Sequence, residues 1–241
     1  MSYLVFSFFE GKSYLTQALL YLAGGYSVYY FISLIIQFYL LLPWLQKIVD
    51  KYKKRGLIGS LIFSMISLSL FHMMAFQWGI SLPLIIYAGA FPYWLIFFVL
   101  GLYFGKGYDL KISRLFLLFL IVIGIISMYI ETVYLYEQYK VVDCVGNRKF
   151  SWLFYSVSIT ILVFSMKNIY HSNFINHFIS KVGDYSFGIY LIHMYVLSFC
   201  VNKIFIDLNW LLRVPLVLFL SMLIIYVCRR VFPNISKKIG V

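Results

Sequence analysis

A short polar cluster enters an otherwise apolar stretch at residues 183–195, which read GDYSFGIYLIHMY. Ser186, Tyr190 and His193 are spaced i, i+4 and i+7, so in a helix they share one face. If the helix begins near Asp184, His193 lies about 13 Å along it, near the middle of a hydrocarbon layer about 30 Å thick. An imidazole titrates near neutral pH and can take the proton of a hydroxyl group as a general base. The alternative is a packing histidine that is hydrogen-bonded to a neighbouring helix.

A second polar face occurs earlier in the chain, where Tyr26, Tyr30, Ser33 and Gln37 recur at i, i+4, i+7 and i+11. The amide of Gln37 lies in an apolar run and must find a partner there. We favour an interhelical hydrogen bond that holds the bundle together over a contact with substrate. Three serines on one face of the next apolar run predict close helix packing: Ser60, Ser64 and Ser67.

The composition identifies the class of protein. Hydrophobic residues make up 63% of the chain, charged residues only 12%, and the mean hydropathy is +0.91. These values predict an integral membrane protein. The net charge of +12 would suggest nucleic-acid binding in a soluble domain, but here the charges occupy short loops between apolar runs, so nucleic acid is not expected as a partner. Membrane lipids are expected to surround it.

Seven apolar runs are long enough, or nearly long enough, to span a membrane as helices. The runs are continuously apolar and do not alternate as the strands of a membrane barrel do. We therefore predict an all-α, polytopic helical bundle that forms a single membrane domain over residues 1–241. The predicted spans are 28–48, 57–76, 85–105, 112–130, 152–166, 185–201 and 211–228.

Basic residues alternate between the loops. Most of the 20 lysines and arginines fall in the links after the first, third and fifth runs and in the C-terminal tail. By the positive-inside rule, this pattern predicts an external N-terminus and a cytoplasmic C-terminus. The basic cluster after the first run has two interpretations: it binds anionic lipid headgroups, which we favour, or it attracts the phosphates of a soluble substrate. Its members are Lys51, Lys53, Lys54 and Arg55.

Neither a metal site nor a nucleotide site is predicted. The three cysteines lie far apart at Cys144, Cys200 and Cys228, which suggests neither a metal-ligand spacing nor a disulfide framework. A glycine-rich phosphate loop and paired catalytic carboxylates are also absent from the sequence.

Three stretches resemble the acyltransferase 3 family in the family's order. SFGIYLIHMY at residues 186–195 is similar to its late-helix signature. YYFISLIIQFYLLLPWL at residues 29–45 resembles its middle helix, and PYWLIFFVLGLYFG at residues 92–105 resembles the next signature. The family comprises polytopic membrane enzymes that move acyl groups, often acetyl, from acyl-CoA to surface polysaccharides.

The resemblance implies a membrane O-acyltransferase of the fucose 4-O-acetylase type, in the bacterial inner or plasma membrane. Acyl-CoA, typically acetyl-CoA, would be the donor, a surface glycan the acceptor, and no metal would take part. A homo-oligomer is compatible with the sequence. The alternative is a non-catalytic membrane component of polysaccharide export or assembly.

One departure from the family affects the assignment of the site. The family's proposed catalytic histidine lies in the first of about ten spans and is preceded by an arginine, and this chain shows no such pair. The simplest interpretation is that the chain corresponds to the C-terminal part of such an enzyme. The resemblance implies that the base is that first-span histidine, so the catalytic residue within this chain is not identified; His193 is its best candidate and otherwise supports the site. Candidates for substrate binding or support are Ser186, Tyr190, Gln37 and Ser33.

Overall fold

The computed structural model describes residues 30–80, 86, 88–139, 149–166, 174–201 and 209–233, and all regular structure in these ranges is helical. The predicted all-α class is therefore confirmed. Two π-helical segments, Met73–Gln77 and Val196–Val201, directly follow α2 and α6. The α-helices are α1 (Tyr30–Tyr52), α2 (Lys54–His72), α3 (Phe91–Gly105), α4 (Arg114–Tyr139), α5 (Phe150–Ser165), α6 (Phe174–Tyr195) and α7 (Trp210–Val231).

Four helical stretches are long and apolar enough to cross a membrane: Tyr30–Tyr52, Lys54–Gln77, Arg114–Tyr139 and Leu211–Val231. Helices α3 and α5 are apolar but shorter. Large apolar side chains stay exposed on the outer faces, as expected of lipid-facing surfaces; Leu115 on α4, for example, is 78% exposed. The chain is therefore a helical membrane protein, whereas the count of seven spans and the orientation remain predictions.

Several predicted helix ends differ from the structure. Residues 28, 29 and 85, where two predicted spans begin, and Tyr26 lie outside the described residues. Ala88–Ala90 are not helical although the third span was predicted to include them. Ala90 has an extended backbone and the helix starts at Phe91; Pro92 fits in the first turn of α3, where its missing N–H group would have no partner within the helix.

Helices α4 and α6 are both longer than predicted. Helix α4 continues beyond Ile130 to Tyr139, because no proline or glycine interrupts the polar residues there. Helix α6 begins at Phe174 and not near Asp184, so Gly183 and Asp184 lie inside a continuous helix. The polar signature thus lies in the second half of α6.

The chain forms two compact units, residues 1–167 and 168–241. The prediction of a single membrane domain stays a prediction. In the first unit, α3 packs against α1, α2 and α5, and α4 packs along α5. The core between these helices contains fully buried Val49, Leu68, Leu100 and Leu153. In the second unit, α7 packs against α6 and the π segment that follows it.

Small residues allow the closest approaches in the first unit. Ser64 is fully buried, and its Oγ donates a hydrogen bond to the carbonyl of Pro92 (3.0 Å) and accepts one from the amide of Ile96 (3.2 Å). Ser60 and Ser67 are also buried, which confirms the predicted packing face of α2. At Gly124 of α4, a Cβ atom would lie only 3.1 Å from the Cβ of Tyr155 on α5.

Candidate functional sites

His193 lies in the last turn of α6, half-buried within the second unit. Its Nδ1 atom lies 2.6 Å from the carbonyl oxygen of Tyr190 and 3.2 Å from that of Ile189. Both partners belong to its own helix. From the start of α6 at Phe174, His193 lies about 28 Å along the axis at a rise of about 1.5 Å per residue. It therefore lies near the C-terminal end of α6. A helix that began near Asp184 would instead have His193 near its middle.

The contacts of Nδ1 determine which tautomer of His193 fits the structure. A carbonyl oxygen only accepts hydrogen bonds, so Nδ1 must carry the proton in these contacts. In the neutral ring, Nε2 then carries a lone pair that can accept a proton. A histidine held in this way is prepared to act as a general base through Nε2.

The structure brings Tyr190 close to His193, while Ser186 lies further along the same face. The rings of Tyr190 and His193 are tilted against each other with their centroids 5.9 Å apart. Tyr190 is half-buried and Ser186 is exposed. The three residues therefore form a polar strip that runs from an exposed serine to the half-buried imidazole.

Arg229, in the last turn of α7, holds the start of this strip. Its Nη2 donates a hydrogen bond to the carbonyl of Asp184 (3.1 Å), and its guanidinium carbon lies 4.2 Å from the centroid of the Tyr185 ring. A cation over an aromatic face is attracted by the ring quadrupole. From the sequence, Arg229 is only one of the basic residues of the C-terminal tail that predict the orientation of the chain in the membrane. Neither of its two contacts has a signature in the sequence.

Ser33 and Gln37 lie on α1 in the first unit, apart in the chain from the His193 strip. The Nε2 of Gln37 donates to the carbonyl of Gly89 at 2.7 Å and lies 3.2 Å from the carbonyl and 3.4 Å from the Oγ of Ser33. Its Oε1 accepts from the amide of Phe91 at 3.1 Å. Gln37 therefore satisfies both an acceptor and a donor of the non-helical backbone that leads into α3.

This arrangement explains how an irregular backbone is accommodated among apolar helices. Backbone groups in an apolar region need a partner, and residues 88–90 are not helical and so lack the hydrogen bonds that a helix provides. Besides Gln37, the indole Nε1 of Trp94 donates to the carbonyl of Ala88 at 2.6 Å. The polar atoms of Gln37 are thus directed to the start of α3, and its proposed role in substrate binding stays a prediction.

The sequence does not reveal a third polar site, because Glu131 directly follows the predicted span 112–130 and therefore falls in a predicted loop. It lies in α4, and its carboxylate accepts hydrogen bonds from the amides of Phe150 and Ser151 (3.1 and 3.0 Å) and from the Ser151 hydroxyl (2.5 Å). It thus satisfies free amides at the N-terminus of α5, where negative charge is stabilising. Buried Lys149 donates to Thr132 nearby at 2.6 Å.

Glu131 also lines a groove of about 590 Å³ between α4 and α5, together with Gly124, Ser127, Ser151 and Ser158. Most of the remaining lining is apolar. The signal that could have identified this site is an acidic residue directly after an apolar run, since ionisable groups at such positions commonly have partners.

The described ranges contain no group of three or more histidine, cysteine, aspartate or glutamate side chains able to hold a metal ion. The candidate sites described above therefore rest on imidazole, amide, hydroxyl and carboxylate groups.

Comparison with known proteins identifies the family. Neither the curated proteins nor the solved structures give a significant match to this chain. A family model described as an acyltransferase domain matches residues 1–230, which include all the described helices except the last residue of α7. The chain therefore belongs to the acyltransferase 3 family of membrane acyltransferases.

Proposed function

We propose that this protein transfers an acyl group, typically acetyl, from acyl-CoA to a hydroxyl group of a surface polysaccharide or related glycan. The observation that carries the proposal is the family match over residues 1–230. The helical membrane architecture supports it, because a donor made in the cytoplasm and an acceptor at the surface must meet in a protein embedded in the cell membrane.

His193 is the residue to which we assign the proton transfer. Its Nε2 takes the proton of the acceptor hydroxyl while the hydroxyl oxygen attacks the thioester carbonyl. The new carbon–oxygen bond forms, the carbon–sulfur bond breaks, and the proton passes from His193 to the departing CoA sulfur. A positioned general base typically contributes about 10²- to 10⁴-fold to such a reaction.

Tyr190 and Ser186 continue the polar face on which His193 lies, and we assign them to binding or supporting the acceptor hydroxyls. Hydroxyl side chains on a helix face can both donate to and accept from a sugar. Ser33 and Gln37 are assigned to support of the first unit, where their hydrogen bonds stabilise the start of α3.

The proposal is tested in cells that carry the gene. Deleting the gene should remove acetyl esters from a surface glycan, detected by mass spectrometry of the purified glycan. Restoring the wild-type gene should return them, whereas a gene with His193→Ala should not, at equal protein level. Unchanged acyl content after deletion would refute the proposal.

A second function is favoured by one specific feature of the sequence. The chain shows no first-span arginine and histidine pair, so a non-catalytic component of polysaccharide export or assembly is the alternative. It predicts a different outcome in the same deletion strain: less glycan at the surface, with the acyl content of each glycan unchanged.

A further inference from the structure

A basic pocket lies at the turn between α1 and α2, in the first unit. Its volume is about 400 Å³, within the range of small-molecule sites. In the described part of the chain, none of its four cations is paired with a carboxylate; Asp50, next to them in sequence, is paired with Lys106. The pocket is lined by Lys51, Tyr52, Lys53, Lys54, Arg55 and Tyr103.

The backbone holds these cations together by an unusual turn. Lys53 is the single residue between α1 and α2, and its φ of +45° lies in the left-handed region that favours glycine. Its ammonium group lies 5.4 Å from the centroid of the Tyr108 ring. Strained residues of this kind cluster at ligand sites and switch regions. The turn places Lys54 and Arg55 at the N-terminus of α2, where the helix dipole adds to the positive potential.

An apolar groove of about 610 Å³ adjoins the pocket. Tyr52 and Arg55 line both concavities, so the basic pocket and the groove are neighbours that share these two side chains. The groove runs between α1, α2 and α3 and is lined by apolar side chains such as Leu41, Trp44 and Phe63. Its floor includes Gly59, where an added Cβ atom would meet no atom within 4 Å.

The two parts together fit a ligand that carries both a phosphate and a long apolar chain. A soluble phosphate would use only the cations, and a neutral lipid would use only the groove. An anionic phospholipid uses both. In the predicted orientation the pocket faces the cytoplasmic leaflet, in which anionic lipids carry the negative surface charge. We propose that this composite site binds one anionic phospholipid, with its phosphate among the four cations and an acyl chain in the groove.

The test titrates the purified full-length protein with phosphatidylglycerol and measures the bound fraction by native mass spectrometry. Phosphatidylcholine with the same acyl chains is the comparison lipid, because its choline group balances the charge of its phosphate and leaves no net negative charge. The wild-type protein should bind phosphatidylglycerol more tightly. In the double variant Lys53→Gln/Arg55→Gln the affinity for phosphatidylglycerol should fall roughly 30-fold, from about fivefold for each charge. Its affinity for phosphatidylcholine should fall much less.

A matched control removes the same charge outside the site. Lys47→Gln/Lys111→Gln takes two positive charges from the same predicted side of the membrane, from residues that line neither concavity. It should bind phosphatidylglycerol nearly as the wild type does. A third variant, Gly59→Phe, fills the groove from an open position and should weaken phosphatidylglycerol binding while the thermal unfolding of the protein is unchanged.

Acetyl-CoA and inorganic phosphate are added as competitors, to distinguish a site for a lipid phosphate from a site for the phosphate of a soluble ligand. Neither should displace phosphatidylglycerol. Displacement by acetyl-CoA that depends on Lys53 and Arg55 but not on Gly59 would assign the pocket to a soluble substrate and overturn the proposal. Equal binding of both lipids by the wild type, or an equal loss in the pocket and control doubles, would also overturn it.

Discussion

At the scale of single residues, His193 is distinguished by which of its nitrogens is engaged. A histidine that only packs a bundle can use either nitrogen, and its partners are often on another helix. Here Nδ1 donates within α6, which leaves Nε2 with its lone pair. The two nitrogens therefore have separate tasks, one holding the ring and the other available for chemistry. This separation can be tested, because asparagine reproduces only the first task.

His193→Asn places an amide nitrogen near the position of Nδ1 and keeps a donor for the carbonyl of Tyr190, but it provides no base. We expect the variant to insert and unfold like the wild type and to lose about 10²- to 10⁴-fold in acyl transfer, measured as acetyl esters formed per unit protein. His193→Ala should lose activity to the same extent and some stability in addition. Full activity of the asparagine variant at normal expression would exclude a base role for this residue.

Gln37 should contribute to stability more than to substrate affinity. Gln37→Leu removes the partners of Gly89 and Phe91 at the start of α3. Interhelical hydrogen bonds in membrane proteins contribute about 0.6 to 2 kcal/mol each, so we expect unfolding in detergent to be destabilised by about 1 to 3 kcal/mol. Gln46→Leu, at an exposed position of the same helix, is the control and should have little effect. An unchanged unfolding midpoint for Gln37→Leu would show that these bonds do not hold α3.

Gln37 and Ser64 illustrate how much of the site can be predicted from the sequence. That Gln37 needs a partner and that Ser64 packs against another helix follow from polar atoms in apolar runs. Which atoms they contact does not follow, because Gly89 lies in the non-helical backbone before α3 and Pro92 in the first turn of α3, and their positions depend on how α3 packs. The contacts of Arg229 depend in the same way on the packing of α7 against α6.

At the scale of helices, the type of element could be predicted and the ends could not. Hydropathy detects the apolar part of a helix, but α4 extends through polar residues after its predicted end, and α6 begins among polar residues before its predicted start. In α6 these include the weak helix formers Gly183 and Asp184, so propensity does not predict the extension either. Glu131, whose carboxylate caps the N-terminus of α5, shows what an error in a predicted helix end conceals. A residue predicted to lie in a loop turned out to lie in one helix and stabilise the start of the next.

The α4–α5 pair depends on the lack of a side chain at Gly124. In Gly124→Val the new Cβ would lie 3.1 Å from the Cβ and 3.2 Å from the Cα of Tyr155, and backbone atoms cannot yield as a flexible side chain can. Overpacking of this kind typically costs about 1 to 3 kcal/mol, so we expect a lower unfolding temperature. Gly101→Val is the matched control on α3, because a Cβ there meets no atom within 4 Å. Equal stability of the two variants would contradict the close approach.

At the scale of the whole molecule, the composition and the family resemblance were sufficient to predict a helical acyltransferase-type membrane protein. They were sufficient because the apolar runs and three motifs are local in sequence. The division into two compact units was not predicted, since it depends on contacts between distant helices. The number of spans and their direction rest on hydropathy and loop charges, and they require a direct measurement.

Cysteine labelling tests the orientation in intact cells, after Cys144, Cys200 and Cys228 are replaced by serine. Exposed Gln77 follows the second predicted span, and exposed Lys111 follows the third. The positive-inside rule predicts that Gln77→Cys reacts with an impermeant maleimide in intact cells, whereas Lys111→Cys reacts only after permeabilisation. The reverse pattern would invert the proposed topology.

The lengths of α3 and α5 affect the bilayer itself. These neighbouring helices have 15 and 16 residues, so each extends only about 22 to 24 Å, against a hydrocarbon layer of about 30 Å. A span that is too short thins the bilayer around it at a modest cost per ångström of mismatch. If both helices span the membrane as the sequence predicts, lipids bordering the exposed face of α5 should be compressed, because most of α3 is covered by its neighbours. Water should then approach the middle of the membrane more closely there. A group that has to cross from one face to the other would have its shortest path along these two helices.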